Sequence, residues 1–260
     1  MAKIVSIHSF RGGTGKSNLT ANLAANVALS GHRVGIVDTD IQSPGIHTLF
    51  GLDQDRISRC LNDFLWERCA VQDAAYDVSS SLDSNRQQTG AIYLVPSSIK
   101  SGDIARVLRE GYDVGRLNDG FHELIARLRL DYLFIDTHPG LNEETLLSIA
   151  VSDLLILLLR PDRQDYQGTA VTVEVARKLE VPELILVVNK ALASANLAEL
   201  RQQVQSAYDA TVAAVLPLTE DLVRMASSDL LSLREPDHVW SREVRSVAER
   251  IVASKAPSRS

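Results

Sequence analysis

The chain has 260 residues, 45% of them hydrophobic and 23% charged, with a formal net charge of −6. That balance excludes a disordered or fibrous chain, and it gives no overall basic character that would announce a nucleic-acid or membrane-surface partner. No apolar run approaches the roughly 18 residues of a membrane span, and the opening MAKIVSIHS is too short and too polar for a secretory leader, so a cytoplasmic location is expected. The two cysteines, Cys60 and Cys69, are nine positions apart. This spacing fits neither a zinc site nor a disulfide framework and reads as two reduced thiols.

In chain order, short aliphatic or β-branched runs predict strands at 3–7, 33–37, 91–95, 132–135, 154–159, 184–188 and 212–216. The run 154–159 is apolar throughout, as a strand buried on both faces must be. Helical periodicity alternates with these runs at 17–29, 57–69, 115–128, 143–150, 169–179, 196–207 and 241–253. The serine-rich stretch 77–89 reads as a surface loop. No repeat or linker interrupts the pattern. Residues 1–260 are therefore expected to form one α/β domain, with a polar tail from about 254. The sheet is expected to be doubly wound and mostly parallel, about seven or eight strands with helices on both faces.

The first strand runs into Phe10-Arg11-Gly12-Gly13-Thr14-Gly15-Lys16-Ser17 and then a helix. Glycines permit backbone conformations that turn successive N–H groups inward, and the helix N-terminus adds partial positive charge at the same point. Lys16 is placed to neutralise the outer phosphates of a nucleotide, and the Ser17 hydroxyl to ligate Mg²⁺. Such a P-loop ordinarily opens on glycine, and here Phe10 stands in that place.

A basic residue, paired glycines and then Gly-Lys-Ser resemble the deviant Walker A motif of the ParA/MinD family, K-G-G-x-G-K-[ST], with Arg11 in place of the early lysine. The resemblance runs from about residue 2 to about residue 250. It implies ATP/ADP and Mg²⁺ as cofactors, and slow hydrolysis stimulated by a partner. It also implies an ATP-bridged homodimer in which Arg11 reaches the partner's nucleotide. The phosphate-binding set is Arg11, Gly12, Gly13, Thr14, Gly15, Lys16, Ser17 and Asn18. In Asp38-Thr39-Asp40-Ile41-Gln42 the resemblance makes Asp40 the residue that positions the attacking water near the metal, and in Leu133–Gly140 it makes Asp136 the carboxylate that holds Mg²⁺ through water. Lys16, Asp40 and Arg11 form the catalytic set, and Ser17, Asp40 and Asp136 the metal set. Asn189, after an apolar strand, matches the family's adenine-recognising asparagine, and Pro217 lies in the stretch that covers the base. His138 stands where the family has proline and reads as loop variation.

Among the sister functions, metal-cluster carriers use a C-x-x-C that is absent from this sequence, and amide synthases need a second domain. A ligase of the dethiobiotin synthetase type lacks the early basic residue. A membrane-bound division ATPase of the MinD type would end in an amphipathic anchor, but 241–253 has only small apolar residues and reads as a packing helix. Non-specific DNA binding is favoured over membrane, with Arg224, Arg234, Arg242, Arg245 and Arg250 as candidates, although residues 201–260 hold eight basic and eight acidic residues. The expected role is ATP-driven partitioning or positioning of DNA or another cargo through an unidentified activator or adaptor, with possible association with the nucleoid.

Overall fold

A computed structural model describes residues 2–82 and 90–254. Eight strands form one sheet in the order β3-β4-β2-β5-β1-β6-β7-β8. The chain runs β1 (Lys3–His8), α1 (Lys16–Leu29), β2 (Arg33–Asp38), α2 (Ile46–Leu49), α3 (Leu61–Leu65), β3 (Tyr76–Asp77), β4 (Ala91–Val95), α4 (Ser101–Glu110) and α5 (Val114–Leu128). It continues through β5 (Tyr132–Asp136), α6 (Glu143–Ala150), β6 (Leu154–Leu159), α7 (Arg163–Lys178), β7 (Glu183–Ala191), α8 (Leu197–Tyr208), β8 (Thr211–Pro217), α9 (Glu220–Arg224), α10 (Leu231–Arg234) and α11 (Val239–Ala253). Every pairing is parallel except β3 with β4.

Side-chain alternation explains the layers. On β6, Leu154, Ile156 and Leu158 join a core shared with α1, α2, α10 and α11, while Leu155, Leu157 and Leu159 pack on the opposite face with α7 and α8. On β5, Phe134 faces the α1 side, and Leu133 and Ile135 face α3 and α5. Val244, Val247, Ala248 and Ile251 put the apolar face of α11 into the core, where Trp240 is also buried. Its apolar stripe is thus the packing face expected of it.

Three expectations need correction. The helix expected over 57–69 shrinks to α3, because the Tyr76 hydroxyl accepts from the backbone N–H groups of Ser58 (2.8 Å) and Arg59 (2.9 Å) and donates to the Arg59 carbonyl. Those groups are satisfied outside a helix, and α3 then ends before Glu67 at φ 59°. The expected loop at 77–89 contributes Asp77 to the antiparallel edge strand β3, and its residues 83–89 lie outside the described residues, as does the tail beyond Ser254. The helix expected at 169–179 begins at Arg163, where the Asp162 side chain accepts from the N–H groups of Gln164 and Asp165. The helix α4 and the short α2, α9 and α10 were not foreseen; α4 buries only Val107.

Candidate active site

Parallel topology brings the C-terminal ends of β1, β2, β5, β6, β7 and β8 to one edge, and the order reverses beside β1, where α/β sheets open a ligand crevice. From β1 the chain enters the glycine loop. Gly13 (φ 76°) and Gly15 (φ 99°) adopt left-handed backbone, and a Cβ at Gly15 would lie 2.7 Å from Asn189 Nδ2. Gly15 precedes α1 with no side-chain cap, so the first-turn N–H groups of the helix have no local side-chain acceptor.

The loop is braced through its carbonyls. Ser9 Oγ donates to Arg11 O (2.8 Å), Lys190 Nζ to Gly13 O (2.7 Å) and Asn189 Nδ2 to Thr14 O (2.8 Å), and Thr14 Oγ1 donates to Ser9 Oγ (3.0 Å). Asn189, expected at the adenine base, spends one amide donor on the loop. Pro217 closes β8 opposite Ala191, with the exposed side chains of Leu192 and Leu218 beside them. Asn18 O accepts from Asn22 one turn along α1. Gly12 is solvent-exposed.

Lys16 is buried at the foot of the loop, its Nζ 3.7 Å from Asp40 Oδ2 and 4.0 Å from Asp136 Oδ1. Asp40 and Asp136, expected at the ends of β2 and β5, therefore meet around one ammonium. Asp136 is fully buried; Thr20 Oγ1 donates to its Oδ1 (3.2 Å), and its Oδ2 has no hydrogen-bond partner among the described residues. Burial pushes the Asp136 carboxyl above its ordinary value, opposed by the charge of Lys16 and by hydrogen bonding from Ser17 and Thr20. Asp38, in register beside it, is pushed well up by burial and then by the charges of Asp136 and Asp40. Burial also resists ionisation of Asp40, but the hydrogen bond from His138 and the charge of Lys16 hold that carboxyl below the usual range.

These donors suit Mg²⁺. No group of three or more His, Cys, Asp or Glu side chains able to hold a metal occurs among the described residues. Mg²⁺ does not require one, since it takes one or two carboxylates together with phosphate and water. Asp136 Oδ2 and the Ser17 hydroxyl are hard oxygen donors of that kind, and a divalent cation there would offset the burial cost of Asp136.

Arg11, the expected trans-acting cation, is engaged within its own chain. Its Nη1 lies 3.4 Å from Asp165 Oδ1 and 3.6 Å from Asp162 Oδ1, and Arg160 pairs with both acids. Phe10, in the missing-glycine position, lies against α7 at Gly168, where a Cβ would fall 2.0 Å from its ring. His138, read from sequence as loop variation, donates from Nδ1 to Asp40 Oδ1 at 2.7 Å. Sequence reasoning missed His138, Thr20, Lys190, Asp162, Asp165 and Gly168. Of these only Asp162 left a local signal, an Asp three residues before another acid at a helix start.

The thiols lie apart from this constellation. Cys60 is buried and donates to Asp63 Oδ2 (3.4 Å), and burial pushes its thiol up to about 11. Burial also raises the Cys69 thiol. Of the candidate DNA-contacting arginines, Arg224 pairs with Glu220, Arg234 with Asp229 and Arg250 with Glu183, while Arg245 donates to the Pro236 carbonyl.

A ParA family model, described as NUBPL iron-transfer P-loop NTPase, matches residues 1–252. The chain is 23% identical over 257 residues to an ATP-binding protein of Methanocaldococcus jannaschii, covering 98% of this chain and 89% of that protein. It is 28% identical over 195 residues to an iron-sulfur cluster carrier protein of Methanococcus maripaludis, covering 73% of this chain and 61% of the carrier. The septum site-determining protein MinD of Pyrococcus horikoshii, complexed with Mg-ADP, shares the fold at a TM-score of 0.80 and 21% identity over the whole of both chains. With the glycine loop and its carboxylates at the carboxyl edge of such a sheet, the chain belongs to the ParA/MinD family of P-loop NTPases.

Proposed function

We propose that this chain is a Mg²⁺-dependent ATPase that hydrolyses ATP slowly until a partner stimulates it, and that pairs with a second copy of itself through bound ATP. The observation that carries the reading is Lys16, buried under the loop between Asp40 and Asp136. Ser17 and Asp136 would hold Mg²⁺, which when bound would neutralise phosphate charge. The protein's own part is to wrap the phosphates with loop N–H groups, orient them with Lys16 and aim a water with Asp40. A carboxyl held below the usual range is a weak base, which supports slow intrinsic turnover. Arg11 is the cation assigned to act across the pair.

The output we assign is nucleotide-controlled attachment to a surface, with DNA phosphate first and an adaptor protein selecting the cargo. It rests on the family's dimerising members; within one chain Arg224, Arg234 and Arg250 are paired with carboxylates, so a basic surface would have to come from elsewhere on the pair. Carriage of an iron–sulfur cluster as cargo is the second reading, favoured by the name of the carrier relative. Against it, neither Cys60 nor Cys69 offers an easily formed thiolate.

The deciding experiment measures ATP turnover and co-sedimentation with DNA, with anionic liposomes and with neither, for wild type and Arg11→Ala. ATP-dependent DNA binding that fails in the variant supports the proposal. Absence of binding to either surface refutes the attachment reading. Anaerobic loading with iron and sulfide, compared between wild type and a Cys60→Ser/Cys69→Ser double variant, tests the second reading; a visible chromophore lost in the double variant would establish it.

A further inference from the structure

Asp40 does not hang free at the end of β2. Its Oδ1 accepts from His138 Nδ1 at 2.7 Å, from Ser43 Oγ at 3.0 Å and from the Ser43 N–H at 3.3 Å. Its Oδ2 faces Lys16 Nζ at 3.7 Å. One oxygen is therefore saturated by protein donors while the other is turned toward the Lys16 ammonium. Oδ1 already accepts from the backbone N–H of Ser43, and a carboxylate oxygen in that role leaves Nδ1 of His138 as the donor in their contact. At this length the contact is in the charge-assisted range.

The ring that makes this bond is itself anchored. The His138 carbonyl accepts from Thr145 Oγ1 of α6 (3.2 Å), and the Asn142 side chain caps the same helix through Thr145 N–H (3.0 Å). The imidazole thus extends from a backbone fixed to α6 and crosses to the loop after β2. Among the described residues, this is the one hydrogen bond that reaches Asp40 from the loop after β5, the strand that also supplies Asp136. The proline ordinarily found here in the family has no donor and could not make it.

We propose that His138 is a positioning residue. It holds the Asp40 carboxylate with a single oxygen directed at the nucleotide, and it couples the loop after β2 to the loop after β5. The proposal deepens the ATPase reading above and rests on it for its kinetic consequence. His138 need not touch nucleotide to act, since misorienting the carboxylate that aims the water is sufficient to slow the reaction.

The test compares wild type, His138→Ala and His138→Asn; the Asn amide keeps a donor near the place of Nδ1. In His138→Ala, kcat at saturating Mg-ATP should fall roughly 10- to 100-fold, with the affinity for a fluorescent ADP analogue and the thermal midpoint near wild type. His138→Asn should recover most of the loss. A nitrogen-15 NMR spectrum of the nucleotide-free protein should show the His138 ring as the Nδ1–H tautomer, with a protected ring proton that disappears in Asp40→Ala. Unchanged kcat in His138→Ala overturns the proposal. So does an Asn variant as slow as Ala with ADP affinity lost in parallel, or an Nε2–H tautomer. If wild type hydrolyses no ATP, the ATPase reading fails by itself; the tautomer and its dependence on Asp40 still decide whether His138 orients that carboxylate.

Discussion

Asp38 and Asp136 stand in register on the adjacent parallel strands β2 and β5, both fully buried, and of these two Asp136 is the one within ion-pair distance of Lys16. Two carboxylates in such a place repel one another and are pushed toward the neutral form. The end of the sheet thus carries a local cost, and Asp136 Oδ2 has no hydrogen-bond partner among the described residues.

Asp136→Asn should stabilise the nucleotide-free protein while removing its response to Mg²⁺. The raised carboxyl contributes stability that is full below the unfolded pKa and is lost as pH rises through the folded value. The amide does not titrate, so the variant's advantage should grow toward neutral pH and reach about 1 kcal/mol. Urea unfolding at several pH values measures this. Lower stability than wild type at pH 7 would refute the strain argument, and ADP binding that still tightens with Mg²⁺ would remove Asp136 from the metal set.

Arg11→Ala should leave the affinity for ATP within about 3-fold and abolish ATP-dependent pairing, because Arg11 at a half-exposed ion pair adds about 0–1 kcal/mol to the free chain. Asp165→Asn should do the reverse and favour the dimer by loosening the hold on Arg11. Analytical ultracentrifugation with a slowly hydrolysed ATP analogue reads both. Full pairing of Arg11→Ala would end the trans-acting role.

His8 should make the protein acid-sensitive. It is buried, its Nε2 has no hydrogen-bond partner among the described residues, and its Nδ1 lies 2.8 Å from Thr137 Oγ1, which itself donates to Ile7 O. Burial first, then the charges of Lys16 and His138, push its pKa down from 6.5 to about 3. Between those values the unfolded chain binds the extra proton, so stability falls as pH drops below about 6.5, by up to about 1.4 kcal/mol per unit. In His8→Asn the pH dependence of unfolding between pH 5 and pH 7 should be shallower by about one proton. Parallel curves for the two proteins would exclude His8 as the source.

Asn189→Ala should weaken nucleotide binding about 5-fold by removing the bond to Thr14 O, worth about 1 kcal/mol. Gly15→Ala should be far worse, since it places a Cβ at φ 99° and 2.7 Å from the Asn189 amide. Calorimetric titration with Mg-ADP ranks the two. If Gly15→Ala binds as wild type, the loop does not hold this conformation with ligand.

The strand ladder was readable in advance because strands buried on both faces must be apolar at successive positions, as 154–159 are. The helix expected over 57–69 was not, because its backbone donors are taken by a tyrosine hydroxyl more than a turn beyond its end. The same division runs through the site. Lys16 and Ser17 follow from a strand–glycine–helix sequence within a few residues of one another, and Asp40 and Asp136 from apolar strands that end in carboxylates. Those identities are local, and local backbone preference encodes them.

The pairings are another matter. His138 meets Asp40 across 98 residues of chain and Arg11 meets Asp165 across 154. The amino-acid sequence by itself determined that a glycine loop joins β1 to α1 and that Lys16, Ser17, Asp40 and Asp136 stand at the carboxyl ends of strands or at the start of that helix. Only the tertiary structure decided that Asp40 meets His138 and that Arg11 meets Asp165. The reason is the sheet order, which sets β5 between β2 and β1 and β6 on the far side of β1. That order arises from burying both faces of every strand together, and no window of sequence contains it.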